Sequence, residues 1–368
     1  MRRDSFSVGF VAASQTIGQS LEKLRFRCAP PCAAWGAASR LIFGAENLRQ
    51  EMTAASPLYI MQEASQFLVD YLKDRFCVIP AWDAPIADLA RRSRGKVEVI
   101  VWQGGHTLSS VDLDALPDLK MIAVVGAGYD GLDVRYARSR NIAITNGAGA
   151  NANDVADMAV ALFLSVACDV VSGDRRVRNG SWTNEYRGRV RTSLQERRVG
   201  IVGLGNIGQK IAERLSAFGC SISWWGPNAK QGVVWPRASS LVDLAEQSDT
   251  LIVAAPLTSD TANVIDRAVI DALGREGILV NVSRGGIVSE SDVIAALRAG
   301  ELAAAALDVF AEEPTPTSLW ADTPKAVLTP HIGGYGTAAL ATMASLLADN
   351  VERFCKGLPL LTPIHDVA

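Results

Sequence analysis

Three side chains in this 368-residue chain have the types that reduction of a carbonyl requires, and each follows an apolar run patterned like a strand. Arg284 comes after 278–282, in Asn281-Val282-Ser283-Arg284-Gly285-Gly286. Glu313 comes after the run ending at Asp308-Val309-Phe310, in Ala311-Glu312-Glu313-Pro314. His331 stands in Thr329-Pro330-His331-Ile332-Gly333-Gly334. An arginine orients a carboxylate and a carbonyl, a histidine gives the carbonyl oxygen a proton, and a carboxylate tunes that histidine. Open α/β sheets bind ligands at the carboxyl ends of their strands, so all three would emerge at one edge of one sheet. Taken singly, each has a plainer role: Arg284 could pair with a surface carboxylate, Glu313 could sit on a polar loop, and His331 could be a hydrogen-bonded core histidine. The shared edge is what favours chemistry. Of the two other histidines, His106 follows Gly104-Gly105 at the end of an earlier strand and His365 lies in the tail.

A second constellation lies upstream. Arg198-Val199-Gly200-Ile201-Val202-Gly203-Leu204-Gly205-Asn206-Ile207-Gly208 runs from a strand through glycines into a helix. Gly203 allows the tight turn, Gly205 lets the backbone approach a pyrophosphate, and Gly208 lets the helix pack on the strand. The first helical N–H groups and the helix dipole then favour an anion. A glycine-rich turn without a ligand is the plainer reading, but the strand before it and the amphipathic helix after it point to a dinucleotide. The next strand ends in Trp224-Trp225-Gly226-Pro227-Asn228, where NAD users normally carry an acid for the ribose hydroxyls. Gly226 removes the repulsion a 2′-phosphate would meet, and Asn228 and Lys230 could hold that phosphate. NADP(H) is therefore expected, with NAD(H) as the alternative and Lys230 as a mere surface lysine.

The elements that must position these residues form two series. Apolar runs at 57–61, 76–80, 97–102, 121–125 and 142–145 alternate with helical patterns, as do runs at 198–203, 220–225, 250–255, 278–282, 304–309 and 326–329. Such alternation predicts βαβ units and parallel sheets. Between the series, 153–170 reads as a helix apolar all round, capped by Asn153 and buried between domains. The segment Gln209–Phe218 puts Ile211, Ala212, Leu215 and Phe218 on one face. A last helix near 337–355 and the tail Leu360-Leu361-Thr362-Pro363 should pack back on the first series. The expected fold is α/β: a Rossmann-type domain, 152–335, inserted into a flavodoxin-like substrate domain made of 52–151 and 336–368. Residues 1–51, rich in arginine and serine, are expected to be a disordered or non-native extension or a leader, with Met52 as a candidate start.

A net charge of −3 carries no basic excess that would suggest nucleic acid or an anionic membrane. No apolar run approaches the ~20 residues of a membrane span. The six cysteines are scattered, and the Cys28/Cys32 pair lacks a second pair or a histidine nearby, so a reducing, cytoplasmic setting and no metal are expected.

The chain from about Pro57 to Pro363 resembles the D-isomer-specific 2-hydroxyacid dehydrogenase family. The resemblance rests on Gly126-Ala127-Gly128-Tyr129-Asp130, Asn153-Asp154-Val155-Ala156-Asp157, the glycine-rich segment, 281–286, 308–314 and 330–333. The Asp-Val-Ala-Asp helix start and the non-acidic second strand resemble the glyoxylate/hydroxypyruvate reductase branch. The resemblance implies a small 2-oxo or 2-hydroxy acid substrate and a homodimer. It implies that Arg284 binds substrate, His331 is the acid/base, and Glu313 orients and charges His331. It further implies that N–H groups of Ala127 and Gly128 hold the carboxylate and that Asn206 and Ile207 meet the pyrophosphate. Ala255, Val282 and Asp308 would line the nicotinamide half, and Pro256, Ser283 and Gly333 would also contact the cofactor. Gly226 departs from the family twice, lacking both the acid of NAD users and the arginine common in NADP users, and residues 1–51 have no counterpart. Some relatives of this fold act as dinucleotide-sensing corepressors, which is the rival function; S-adenosylhomocysteine hydrolysis shares the cofactor fold but has no use for Arg284, Glu313 and His331 together.

Overall fold

Strands that are apolar on both sides must be covered on both sides, and each of the two sheets is sandwiched between helices. The computed structural model describes residues 57–93, 96–185 and 190–364. The 1–51 extension, the candidate start at Met52, Cys28, Cys32 and His365 lie outside the described residues.

The first sheet contains β1 (Leu58–Ile60), β2 (Val78–Pro80), β3 (Val99–Trp102), β4 (Met121–Val124) and β5 (Ala143–Thr145). All pairs are parallel in the order β2-β1-β3-β4-β5, the flavodoxin-like arrangement. One face is covered by helices that contribute Leu89, Leu113, Val134 and Ala137. The other is covered by the helix Gln66–Lys73, through Leu68, Val69 and Leu72, and by the long final helix Thr337–Cys355, through Ala344, Leu347, Ala348 and Val351. The chain therefore returns to its first sheet after completing the second.

The second sheet contains β6 (Arg198–Val202), β7 (Ser221–Trp225), β8 (Thr250–Val253), β9 (Ile278–Asn281), β10 (Ala304–Leu307) and β11 (Ala326–Leu328). Its order is β11-β10-β9-β8-β6-β7, again parallel throughout. Outside the edge strand β7, Arg237 makes an isolated parallel bridge with Trp224. The order reverses between β6 and β8, which is where a Rossmann sheet opens a crevice for a dinucleotide. Every strand is one or two residues shorter than its apolar run; β4, β6, β8, β9, β10 and β11 lose their last residues, where the chain turns toward the cleft, and β2, β3, β5 and β7 their first.

Two local expectations are corrected. The helix Ala152–Ala167 starts one residue before Asn153, with Asn151 at its N-cap; Asn153 instead accepts hydrogen bonds from Arg214 Nη2 through its carbonyl and Oδ1. Asp157 and Ala161 are exposed, so this helix is not buried all round, although Ala156, Ala159 and Phe163 pack against β9, β10 and the helix Asn206–Ala217. In Asn206–Ala217 the buried set is Gly208, Ile211, Ala212 and Leu215, while Phe218 ends the helix and is 42% exposed.

The chain crosses between the sheets at 146–151 and again at 332–336, and the two crossings touch. A β-carbon at Gly334 would lie 2.9 Å from Asn151 Nδ2, and one at Gly336 would lie 2.2 Å from Asp154 Oδ1. The tail reinforces this region. Buried Asn350 receives Leu361 N–H (2.8 Å) and donates to Thr362 Oγ1 (3.0 Å), which itself donates to Asn146 O (2.6 Å).

Candidate active site

The carboxyl ends of both sheets open on one cleft of about 1260 Å³. From the first sheet, the turns after β3 and β4 bring His106 and Gly126–Asp130 to its wall; from the second come Gly205–Ile207, Ala255, Pro256, Val282–Arg284, Asp308, Glu313 and His331. Arg284, Glu313 and His331 are thus brought together as their positions after β9, β10 and β11 imply.

Arg284 is aimed by its own turn. Asn281, 1% exposed, accepts Ser283 N–H at its Oδ1 (3.0 Å) and donates from Nδ2 to Arg284 O (3.0 Å). Ser283 Oγ is bonded to Ala255 O. The guanidinium then crosses to the first sheet, where Nε donates to Asp130 Oδ1 at 2.9 Å. Its Nη2 lies where a β-carbon on Gly128 would stand, at 1.5 Å. Only a residue without a side chain lets the arginine approach that turn. Asn146 Nδ2 donates to Ala127 O at 2.7 Å and so pins the same turn. Among the described residues the N–H groups of Ala127 and Gly128 have no acceptor, and both residues line the cleft.

His331 Nδ1 and Glu313 Oε2 are 2.7 Å apart, and Glu313 Oε1 accepts Phe310 N–H at 3.0 Å. Burial alone would raise the Glu313 carboxyl, but the His331 contact, the Phe310 N–H and the nearby Arg284 charge together hold it below the usual carboxylate range. A carboxylate on Nδ1 fixes which ring nitrogen faces the cleft, and His331 stays 41% exposed there. The histidine backbone has φ of 52°, a left-handed conformation that costs energy for a residue with a side chain. Asp308, 2% exposed, holds the loop in that shape: its carboxylate accepts Thr329 Oγ1 (2.5 Å), Ile332 N–H (3.0 Å) and Gly333 N–H (2.8 Å). Asp308 and Gly333 were expected only as cofactor neighbours, yet Asp308 anchors the histidine loop and Gly333 is buried within it.

The glycine-rich turn fits a dinucleotide. Gly203 has φ of 91°, and a β-carbon there would stand 2.6 Å from Ala255 Cα; at Gly205 the same atom would meet nothing within 4 Å. The helix Asn206–Ala217 begins without a side-chain cap, so its first N–H groups face the cleft unclaimed by a side chain. Gly208 is packed on Gly203 O, inside the wall. Gly226, Asn228 and Lys230 lie at the end of β7, beyond the cleft's lining; Gly226 is buried, while Asn228 and Lys230 are exposed with no hydrogen bond to other described residues.

Residues 160–333 match the sequence profile of the D-isomer specific 2-hydroxyacid dehydrogenase, NAD binding domain. Over a wider span that includes this segment, the chain is 35% identical over 308 residues to glyoxylate/hydroxypyruvate reductase A of Arabidopsis thaliana, spanning 83% of this chain and 97% of that one. The chain belongs to the D-isomer-specific 2-hydroxyacid dehydrogenase family. Within the family it is also similar to 2-ketogluconate reductase of Gluconobacter oxydans, at 39% identity over 261 residues, 71% of this chain and 84% of that one. Among solved structures it resembles the NADPH-dependent glyoxylate/hydroxypyruvate reductase of Sinorhizobium meliloti in complex with NADP and malonate, with a TM-score of 0.77 and 32% identity over 84% of this chain and 96% of that one. Membership makes the chain an NAD(P)-dependent oxidoreductase of 2-oxo and 2-hydroxy acids. Among the described residues no helix is by itself long and apolar enough to cross a membrane.

Sequence reasoning missed three positioning residues: Asp130, Asn146 and Asn281. Asn281 carried a signal, an amide at the end of an otherwise apolar strand, where nothing but a turn needs it. Asp130 belonged to a quoted motif, but its partner stands 154 positions away and only the fold joins them.

Proposed function

We propose that the chain reduces a small 2-oxo acid of the glyoxylate or hydroxypyruvate kind to the D-2-hydroxy acid, using NADPH in preference to NADH. The observation that carries this reading is Arg284 and the Glu313–His331 pair facing one cleft, opposite the bare Ala127–Gly128 turn. The substrate carboxylate sits between the two free N–H groups of the turn and the planar donors of Arg284. Arg284 also polarises the 2-oxo group, and His331 Nε2 gives the oxygen its proton. Glu313 holds the ring in the tautomer this requires and stays ionised while it does so. Residues 203–208 would hold the pyrophosphate and the ends of β8, β9 and β10 the nicotinamide, which supplies the hydride when bound. A dinucleotide sensor without turnover would have no use for an acid–carboxylate pair aimed into the cleft.

The working division is a cofactor domain of 152–335 inserted into a substrate domain of 52–151 and 336–368, supported by the membership of the two sheets. A homodimer is supported by the exposed apolar surface of Val170, Val171 and Val177 and is checked by light scattering. The functional test is a panel of 2-oxo acids assayed separately with NADH and NADPH. Glyoxylate and hydroxypyruvate should give the highest kcat/KM, and failure to reduce either would remove the substrate reading.

A further inference from the structure

The family's arginine for a 2′-phosphate is missing from the end of β7, where Gly226 and Pro227 stand. A different arginine, Arg237, reaches that strand end from the neighbouring segment. The segment following the β7 turn comes back along the sheet edge, where Trp224 N–H donates to Pro236 O (3.0 Å) and Ala238 N–H donates to Trp224 O (2.8 Å). This pairing sets Arg237 level with Trp224, one position before the strand end. Its side chain reaches forward over that end: Nε and Nη2 donate to Gly226 O at 3.2 and 2.7 Å, and Nη2 also donates to Pro227 O at 3.1 Å. The guanidinium carbon stands 5.8 Å from the Trp224 ring centroid, within cation–π range.

We propose that Arg237 is the residue that recognises the 2′-phosphate, and so sets the cofactor preference. The inference rests on the NADPH reading above. The end of the second Rossmann strand is where the adenosine ribose is read, and Arg237 puts a permanent charge there. Its Nη1 makes no hydrogen bond among the described residues, so that edge of the fork remains for a phosphate oxygen. Lys230 and Asn228, the candidates read from sequence, are exposed and unheld and would have to be ordered by the ligand. Arg237 is ordered already, by two carbonyls and a ring.

The test is direct binding, followed by quenching of tryptophan fluorescence or by calorimetry. The probes are NADPH, NADH, adenosine 2′,5′-bisphosphate and AMP, with the parent and with Arg237→Ala, Arg237→Lys and Lys230→Ala. In Arg237→Ala, affinity for NADPH and the bisphosphate should fall by about ten- to 150-fold, the range for a hydrogen bond to a charged group. NADH and AMP should bind as in the parent, and Arg237→Lys should recover part of the loss as a point charge. If Arg237→Ala weakens all four probes alike, the arginine only props the Gly226 turn and the proposal fails. If the parent prefers NADPH and Lys230→Ala, not Arg237→Ala, abolishes that preference, the proposal fails while the NADPH reading stands. A parent that binds both reduced cofactors equally overturns both.

Discussion

Replacing Gly128 with alanine places a methyl group where the Arg284 guanidinium now is. The new β-carbon would be 1.5 Å from Nη2, 2.7 Å from Cζ and 3.1 Å from Asp130 Oδ1. An ordinary contact is about 3.5 Å, so Nη2 must retreat by about 2 Å. Arg284 is the far end of a flexible side chain and can do this at little cost to folding, though it surrenders its bond to Asp130. A displacement of even about 1 Å at a reacting group can cost about 10²-fold in rate. Gly128→Ala should therefore lower kcat/KM by about 10²-fold, mostly through KM for the 2-oxo acid, with Tm within about 2 °C of the parent. Gly104 provides the contrast. Its β-carbon would meet Gly128 O at 1.7 Å, a backbone atom with nowhere to go, so Gly104→Ala should lower Tm by many degrees. The assay is steady-state kinetics at saturating NADPH alongside calorimetry on both variants. A Gly128→Ala enzyme with kcat/KM within twofold of the parent would show that the seat of Arg284 against the turn has no bearing on substrate.

His331→Ala should cut kcat by about 10²–10⁴-fold, the range for a positioned acid, while cofactor Kd stays put; parental turnover in a folded variant would exclude His331 as the acid. Glu313 has a folded pKa depressed below its unfolded value, so its ionised form stabilises the fold above about pH 4.3 and that contribution disappears as pH falls through the folded pKa. The stability difference between the parent and Glu313→Gln should hence shrink on acidification below about pH 4; chemical denaturation at each pH reads it, and a difference that grows between about pH 4 and about pH 2 contradicts the assigned direction. Gly226→Asp should erase the preference for NADPH, since a β-carbon there is tolerated at 3.4 Å from the Trp224 ring and the carboxylate would both repel a phosphate and pair with Arg237. The ratio of kcat/KM values for NADPH and NADH measures this, and an unmoved ratio would count against the reading of that strand end.

What the sequence revealed follows from which interactions are local. Runs such as 278–282 and 304–309 are apolar without alternation, which in a chain with helices between them can only be buried parallel strands, and so both sheets and the shared edge of Arg284, Glu313 and His331 were recoverable. Glycines with fixed spacing at 203, 205 and 208 announced the cofactor turn for the same reason. The second layer of the site was not recoverable, because it is made of pairings across the sheets. Asp130 meets Arg284 only when two sheets face each other, and Arg237 reaches the Gly226 carbonyl only because its segment lies parallel beside an edge strand. The two misplaced details were helix ends: Asn153 has a capping residue's chemistry but finds Arg214 instead, and Phe218 falls on the apolar face by periodicity yet sits where the helix stops.

The paired crossings at 146–151 and 332–336 have a mechanical meaning. Two flexible links set apart would let the halves of the molecule twist, slide and tilt independently, whereas two links side by side act as a single pin and leave one easy rotation. Asn151 and Gly334 approach each other at these crossings, as do Asp154 and Gly336, and the Gly126–Ala127 backbone is tied to the first crossing by Gly147 N–H (2.8 Å) and Asn146 Nδ2 (2.7 Å). A closure about that pin would bring the halves of the site together in one register, set by the glycines at 334 and 336 that let the links lie side by side.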